Sequence, residues 1–246
     1  MRYIDVVKIA REIAFCPNVY VPRNEKLALV PDYIKDADNV LSAIEVAGIP
    51  LSIVDIEQVR RIAEERSRKL ISVFRLPPEE ETKLQGGLDG LIKFYQSTFV
   101  SGAIIKVKGG TCCRRRFVTL KELMHVYIVC VNGDPTFKQN IHAGKLLEEA
   151  WESRTKTPND ANMELDPETA ALYMAIEVAI PWHTRDTFDY LLRDMKQQPY
   201  QIAKAYMVPQ YIIDQVLKEN RDVYGEHGNY LQFSRHINSK LDLGTI

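Results

Sequence analysis

Cysteine is scarce in this 246-residue chain, an excess of charge of either sign is missing, and no long apolar run occurs. Each absence removes a class of protein. The four cysteines, Cys16, Cys112, Cys113 and Cys130, are too few for a disulfide scaffold. The adjacent pair is also badly spaced for a zinc ribbon, so free thiols are expected. Lys plus Arg number 32 against 33 Asp plus Glu, a net charge of -1, which leaves no global pull toward nucleic acid or a membrane surface. Glycine and proline stand at an ordinary 12 each, without a short-period repeat, which disfavours collagen, solenoid and linker architectures. The most apolar stretches, Val126 to Val131 and Ala170 to Trp182, are short or interrupted by Glu177, and fall below the roughly 18 to 20 residues of a membrane helix. Asp5, Lys8, Arg11 and Glu12 lie inside the first apolar segment and deny it the uncharged centre of a signal peptide. A cytoplasmic protein without a membrane partner is the expectation. With 46% apolar residues the chain can bury a substantial core.

Apolar residues at helical spacing predict helices over Tyr3 to Phe15 and over residues 31–47, with a short strand over Ile49 to Val54. A long charged helix is expected from Asp55 to Phe74, ended by Pro77 and Pro78, and another from Glu79 toward Phe99, weakened by Gly86, Gly87 and Gly90. Gly102 to Lys108 reads as a strand, rich in β-branched residues and closed by Gly109-Gly110. Arg114 to Phe117 then lead into a helix ending near Asn132. The polar stretch Thr155 to Asp166 reads as an exposed loop. Helices follow over Asp166 to Ile180, Arg185 to Met195, Tyr200 to Met207 and Gln210 to Glu219, and the segment from Val223 is too irregular to assign.

Two histidines four apart on a helix can grip one zinc ion while an intervening glutamate activates the metal-bound water. Here the corresponding pentapeptide is Lys121-Glu122-Leu123-Met124-His125, without the first histidine. A bare Glu-x-x-His is equally well a solvated helix face. Its surroundings carry more. The strand Ala103 to Val107, then Arg114-Arg115-Arg116-Phe117, then the pentapeptide, together resemble the approach to the active helix of the ImmA/IrrE family of metallopeptidases. Glu168 to Pro181 is similar to the family's helix that supplies the third zinc ligand, and Gln201 to Pro209 resembles its helix-turn-helix-like segment. The likeness covers roughly residues 100 to 220.

This resemblance implies an α+β fold: a predominantly helical zincin-like domain with a small β-sheet, plus a helix-turn-helix-like C-terminal segment. The expected division is an N-terminal helical region over 1–98, a zincin-like core over 99–183 and a helical segment over 184–246. Glu122 takes the general-base position, His125 and Glu168 the second and third metal positions, and Lys121 stands where the first histidine would be. An ammonium about 4 Å from a dication repels it by about 8 kcal/mol at an effective dielectric near 20. High-affinity zinc is therefore not expected, and Lys121 is expected near the vacated metal position, paired with Glu168 or Glu122. Glu168 is equally placed to interact with its own helix dipole. Arg114 to Arg116 read as a solvated turn, and Cys112 and Cys113 as thiols rather than replacement ligands.

Active members of the family cleave helix-turn-helix repressors in bacteria, phages and mobile elements. The resemblance thus implies a degenerate, non-catalytic regulator, with no cofactor, that binds a protein partner such as a helix-turn-helix repressor. Two alternatives stand beside it: an active zinc peptidase with an altered ligand set, and a DNA-binding regulator of transcription. Gln210, Tyr211, Asp214, Gln215 and Lys218 offer little to neutralise phosphates, which favours a structural role for the helix-turn-helix-like segment.

Overall fold

A computed structural model of the chain describes residues 1–22, 52–81, 90–96, 101–132 and 158–244. It is an α+β structure. The first helix, α1 (Tyr3–Ala14), buries Ile4, Val6, Val7, Ala10 and Ile13 along one face, as its spacing predicts. Strand β1 (Tyr20–Pro22) pairs antiparallel with β2 (Ser52–Val54). The helix expected over residues 31–47 lies outside the described residues.

The helix that follows β2 is shorter than its charge pattern suggests. In α2 (Ile56–Ser67), Asp55 caps the start by accepting from the backbone N–H groups of Glu57 and Gln58. Arg68 then turns left-handed at φ 54°, and the chain enters strand β3 (Leu70–Arg75). Ile71, Val73 and Phe74 prefer a pleated surface, and parallel pairing with a distant strand outweighs the helical reading of this stretch.

The helix expected from Glu79 toward Phe99 is corrected as well. After a single turn, α3 (Pro78–Glu81), residues 90–96 form strand β4 (Gly90–Gln96), antiparallel to β5 (Ser101–Val107). The sheet order is β3-β5-β4, with β3 and β4 at the edges. Ile71, Ile92, Ala103, Ile105 and Val107 are buried on the helix-covered face. The division expected at residue 98 falls between β4 and β5, so one sheet takes strands from both sides of it.

A 21-residue helix, α4 (Cys112–Asn132), leaves the sheet and crosses α5 (Pro167–Ala179), whose first turn is capped by Asp166 accepting from Thr169 N–H. Residues 158–166 form a loop, exposed at Asn159, Asp160, Asn162 and Glu164 as expected and tied to α1, while residues 155–157 of the same stretch lie outside the described residues. The carbonyls of Met163 and Ala161 accept from Tyr3 N–H (2.9 Å) and Ile4 N–H (2.8 Å), which answers two of the donors a helix start leaves unpaired. Helices α6 (Arg185–Arg193), α7 (Pro199–Tyr206), α8 (Gln210–Leu217) and α9 (Arg221–Tyr224) continue the chain. The segment left unassigned from Val223 includes a 13-residue helix, α10 (Tyr230–Asp242), capped by Asn229. Its Tyr230, Phe233 and Ile237 join the hydrophobic core that α1, α5 and the sheet share. Among the described residues, no helix is long and apolar enough to cross a membrane.

Candidate functional site

Three of the four residues, Lys121, Glu122 and His125, lie within little more than one turn of α4 and are buried. Lys121 is 2% exposed, while Glu122 and His125 are fully buried. This orientation follows from a helix that is apolar nearly all round, with Leu120, Leu123, Met124 and Tyr127 buried beside them. The fourth residue, Glu168, arrives from the first turn of α5, directly after its Asp166 cap.

The fold brings all four together. Lys121 Nζ stands 2.8 Å from Glu168 Oε2 and 3.5 Å from Glu122 Oε1. His125 Nε2 lies 3.1 Å from the other Glu168 oxygen. The two Glu168 contacts lie within ion-pair distance but off the line of a directed hydrogen bond, so their attraction is chiefly Coulombic. Glu122 Oε2 and His125 Nδ1 are buried and have no hydrogen-bond partner among the described residues.

The electrostatics follow from burial opposed by pairing. Burial alone would raise the Glu168 carboxyl; His125 and Lys121 overcome it and hold the group down to about 2. Burial would discharge Lys121, but Glu122 and Glu168 outweigh that effect and raise its pKa above the ordinary lysine value. The lysine is thus an ammonium clamped between two carboxylates.

The sequence reading did not assign Gly90 to this site. A Cβ on this first residue of β4 would come 2.7 Å from Val118 Cγ1 and 3.0 Å from Glu122 Oε1, so only glycine lets the edge strand approach the Glu122 carboxylate this closely. The alternation Ile92, Phe94 on the helix side was the available signal. Cys112 and Cys113 lie at the start of α4, more than two turns before Lys121, so they are not part of the cluster.

No family model, curated protein or solved structure matches this chain. Its chemistry therefore has to be read from the cluster itself. Zinc needs lone pairs, and an ammonium offers none. The Lys121 ammonium sits against the carboxylate oxygens that a dication would need, and its charge opposes the ion directly. Among the described residues, no group of three or more His, Cys, Asp or Glu side chains is arranged to hold a metal ion. The residues present do not fit zinc. Glu122 is also sealed from solvent, and only Glu168, with an 18% exposed side chain, reaches the surface. The arrangement can neutralise charge and fix α4 against α5.

The helix-turn-helix-like segment is built by α7 and α8. Met207 turns left-handed at φ 55° between them, and Ile202, Ala203, Val208, Ile212 and Val216 are all buried. The exposed positions of α8 and its end are Gln210, Asp214, Lys218 and Glu219, one cation against two carboxylates.

Proposed function

We propose that this protein is a degenerate ImmA/IrrE-like metallopeptidase homologue, a regulator that works by binding a protein partner rather than by cutting one. The observation that carries the reading is the Lys121 ammonium, 2.8 Å from Glu168 and 3.5 Å from Glu122, in the place a metal would take. The local architecture supports it. Strand β5 leads into the helix bearing Glu122 and His125, a second helix contributes Glu168, and an antiparallel edge strand passes the carboxylate at Gly90.

In such a protein the ion pair replaces zinc as the bond between α4 and α5, and the fold survives without the chemistry. A helix-turn-helix repressor is the partner this reading implies, consistent with a role in transcriptional regulation in a phage or other mobile element. The exposed face of α8, with Lys218 its one cation beside Asp214, gives phosphates little to bind, which favours a protein partner over DNA.

Metal content tests the reading. Elemental analysis of protein purified without chelator or polyhistidine tag is expected to find zinc far below one ion per chain. Lys121→His is expected to gain zinc affinity, because His125 and Glu168 already face that point. Stoichiometric zinc in the wild type, lost in His125→Ala, would instead make this an active-site metal and end the pseudoenzyme reading.

A further inference from the structure

The geometry points to a second binding site, independent of the Lys121 cluster: a groove along the outer edge of β3 that takes an extended, acidic segment of a partner protein as an added β-strand. The groove, about 660 Å³, runs between the start of α2, the β3 edge and the first turns of α4.

Its backbone half comes from the edge strand. The N–H of Ile71 donates to Glu64 Oε1 at 2.8 Å, and its C=O accepts from Arg60 Nη1 at 3.0 Å. Side chains of α2 thus close the free edge at that residue. Residues two apart in a strand point their backbone groups the same way, so Val73 and Arg75 also face away from β5. No α2 side chain bonds there among the described residues. Val73 and Phe74 are 37% and 53% exposed, a wide apolar flank for a strand edge that soluble proteins ordinarily cover or charge.

The charged half explains why the guest is acidic. Two carboxylates line the groove, and both are engaged: Asp55 caps α2, and Glu57 pairs with Arg60 at 2.5 Å. Arg115 and Arg116 are different. Arg115 donates to Gly110 O, and Arg116 donates to Val54 O at 2.7 Å; neither has a carboxylate within ion-pair distance among the described residues, although the Asp55 charge also acts on Arg116. Arg116 Nε is buried and has no acceptor among the described residues. Burial lowers the pKa of this guanidinium, a cost that an arriving carboxylate would remove. A strand-adding peptide with an aspartate or glutamate satisfies the exposed edge and the unpaired cations together.

Selection of a displayed random heptapeptide library on the full chain, followed by fluorescence anisotropy with the selected peptides, tests the site. Expected winners alternate β-branched residues and carry at least one Asp or Glu. Replacing that acid by its amide, or N-methylating the peptide backbone, is expected to weaken binding at least tenfold. Val73→Pro removes only an outward N–H, which an edge strand tolerates, and is expected to weaken binding to the same degree, as is Arg115→Gln. Should Val73→Pro lower the melting temperature, the N-methylated peptide and Arg115→Gln test the two halves in a fully folded protein. An empty selection, binders without acidic residues, or binders indifferent to N-methylation and Arg115→Gln would overturn the proposal. A concentration-dependent dimer abolished by Val73→Pro would overturn it too, by assigning the edge to a second copy of the chain.

Discussion

Helix α5 carries two carboxylates turned into the protein, Glu168 in its first turn and Glu177 in its last, and they are accommodated by different means. Glu168 meets cationic and imidazole groups from α4. Glu177 meets hydroxyls: Tyr230 donates to Glu177 Oε1 at 2.6 Å, Ser234 donates to the same oxygen, and Tyr3 stands within 3.5 Å of it. The Tyr3 hydroxyl also reaches Tyr230 at 3.1 Å, so one network ties α1, α5 and α10 together. Three hydroxyls converge on Glu177 Oε1, whereas the Glu168 end retains a Glu122 oxygen and a His125 nitrogen without partners among the described residues. Buried polar groups are normally satisfied, and leftover valences mark the place where the local architecture suits something other than what it holds. That contrast singles out the Lys121 end as the candidate site and the Glu177 end as a tether.

The sharpest way to break this comparison is to remove the cation. Lys121→Met leaves Glu122 without its cation and Glu168 with His125 alone, and is expected to cost about 3–5 kcal/mol in urea unfolding. Adding Glu122→Gln should recover much of that loss; a neutral Lys121→Met would show that the ion pair does not form.

Acid separates the two ends next. Because Glu168 is held at about 2, below the unfolded value of 4.5, its contribution is complete above pH 4.5 and disappears as pH falls toward 2. The expected loss over that window is at most about 3 kcal/mol. Glu168→Gln should start less stable and show a shallower decline, followed by circular dichroism against pH.

Glu177→Gln keeps an acceptor for its hydroxyl donors and should cost less, about 1–2 kcal/mol. Tyr230→Phe, which deletes one donor and keeps the ring stacked among Tyr173, Tyr3 and Tyr224, should cost about 1 kcal/mol, measurable as a small fall in melting temperature.

The Glu168 end was visible in the sequence because its residues sit in a short motif with helical spacing, and because α5 announces its start with Asp166-Pro167. The Glu177 end was not. Its donors come from Tyr3, Tyr230 and Ser234, separated from it by 174, 53 and 57 positions, and no local pattern joins them. The same physics explains the errors in secondary structure. Helices with a polar and an apolar face, such as α1, α7 and α8, announce themselves locally. Strands β3 and β4 depend on pairing with β5, so the charged stretch before β3 and the glycines before β4 read as helix until that partner is in place. Arg68, whose left-handed turn ends α2, is a residue type that gives no warning of such a turn.

The attachment of α1 to residues 161–163 has a further meaning for synthesis. Helix α1 has an apolar face whose partners, α5 and α10, are encoded more than 150 residues later. At about 5–20 residues per second, that face waits roughly ten to thirty seconds before its seat exists. During that interval α1 is a hydrophobic ligand for whatever nascent-chain chaperone is nearest, and the closing of residues 161–163 over its start is a late step in maturation.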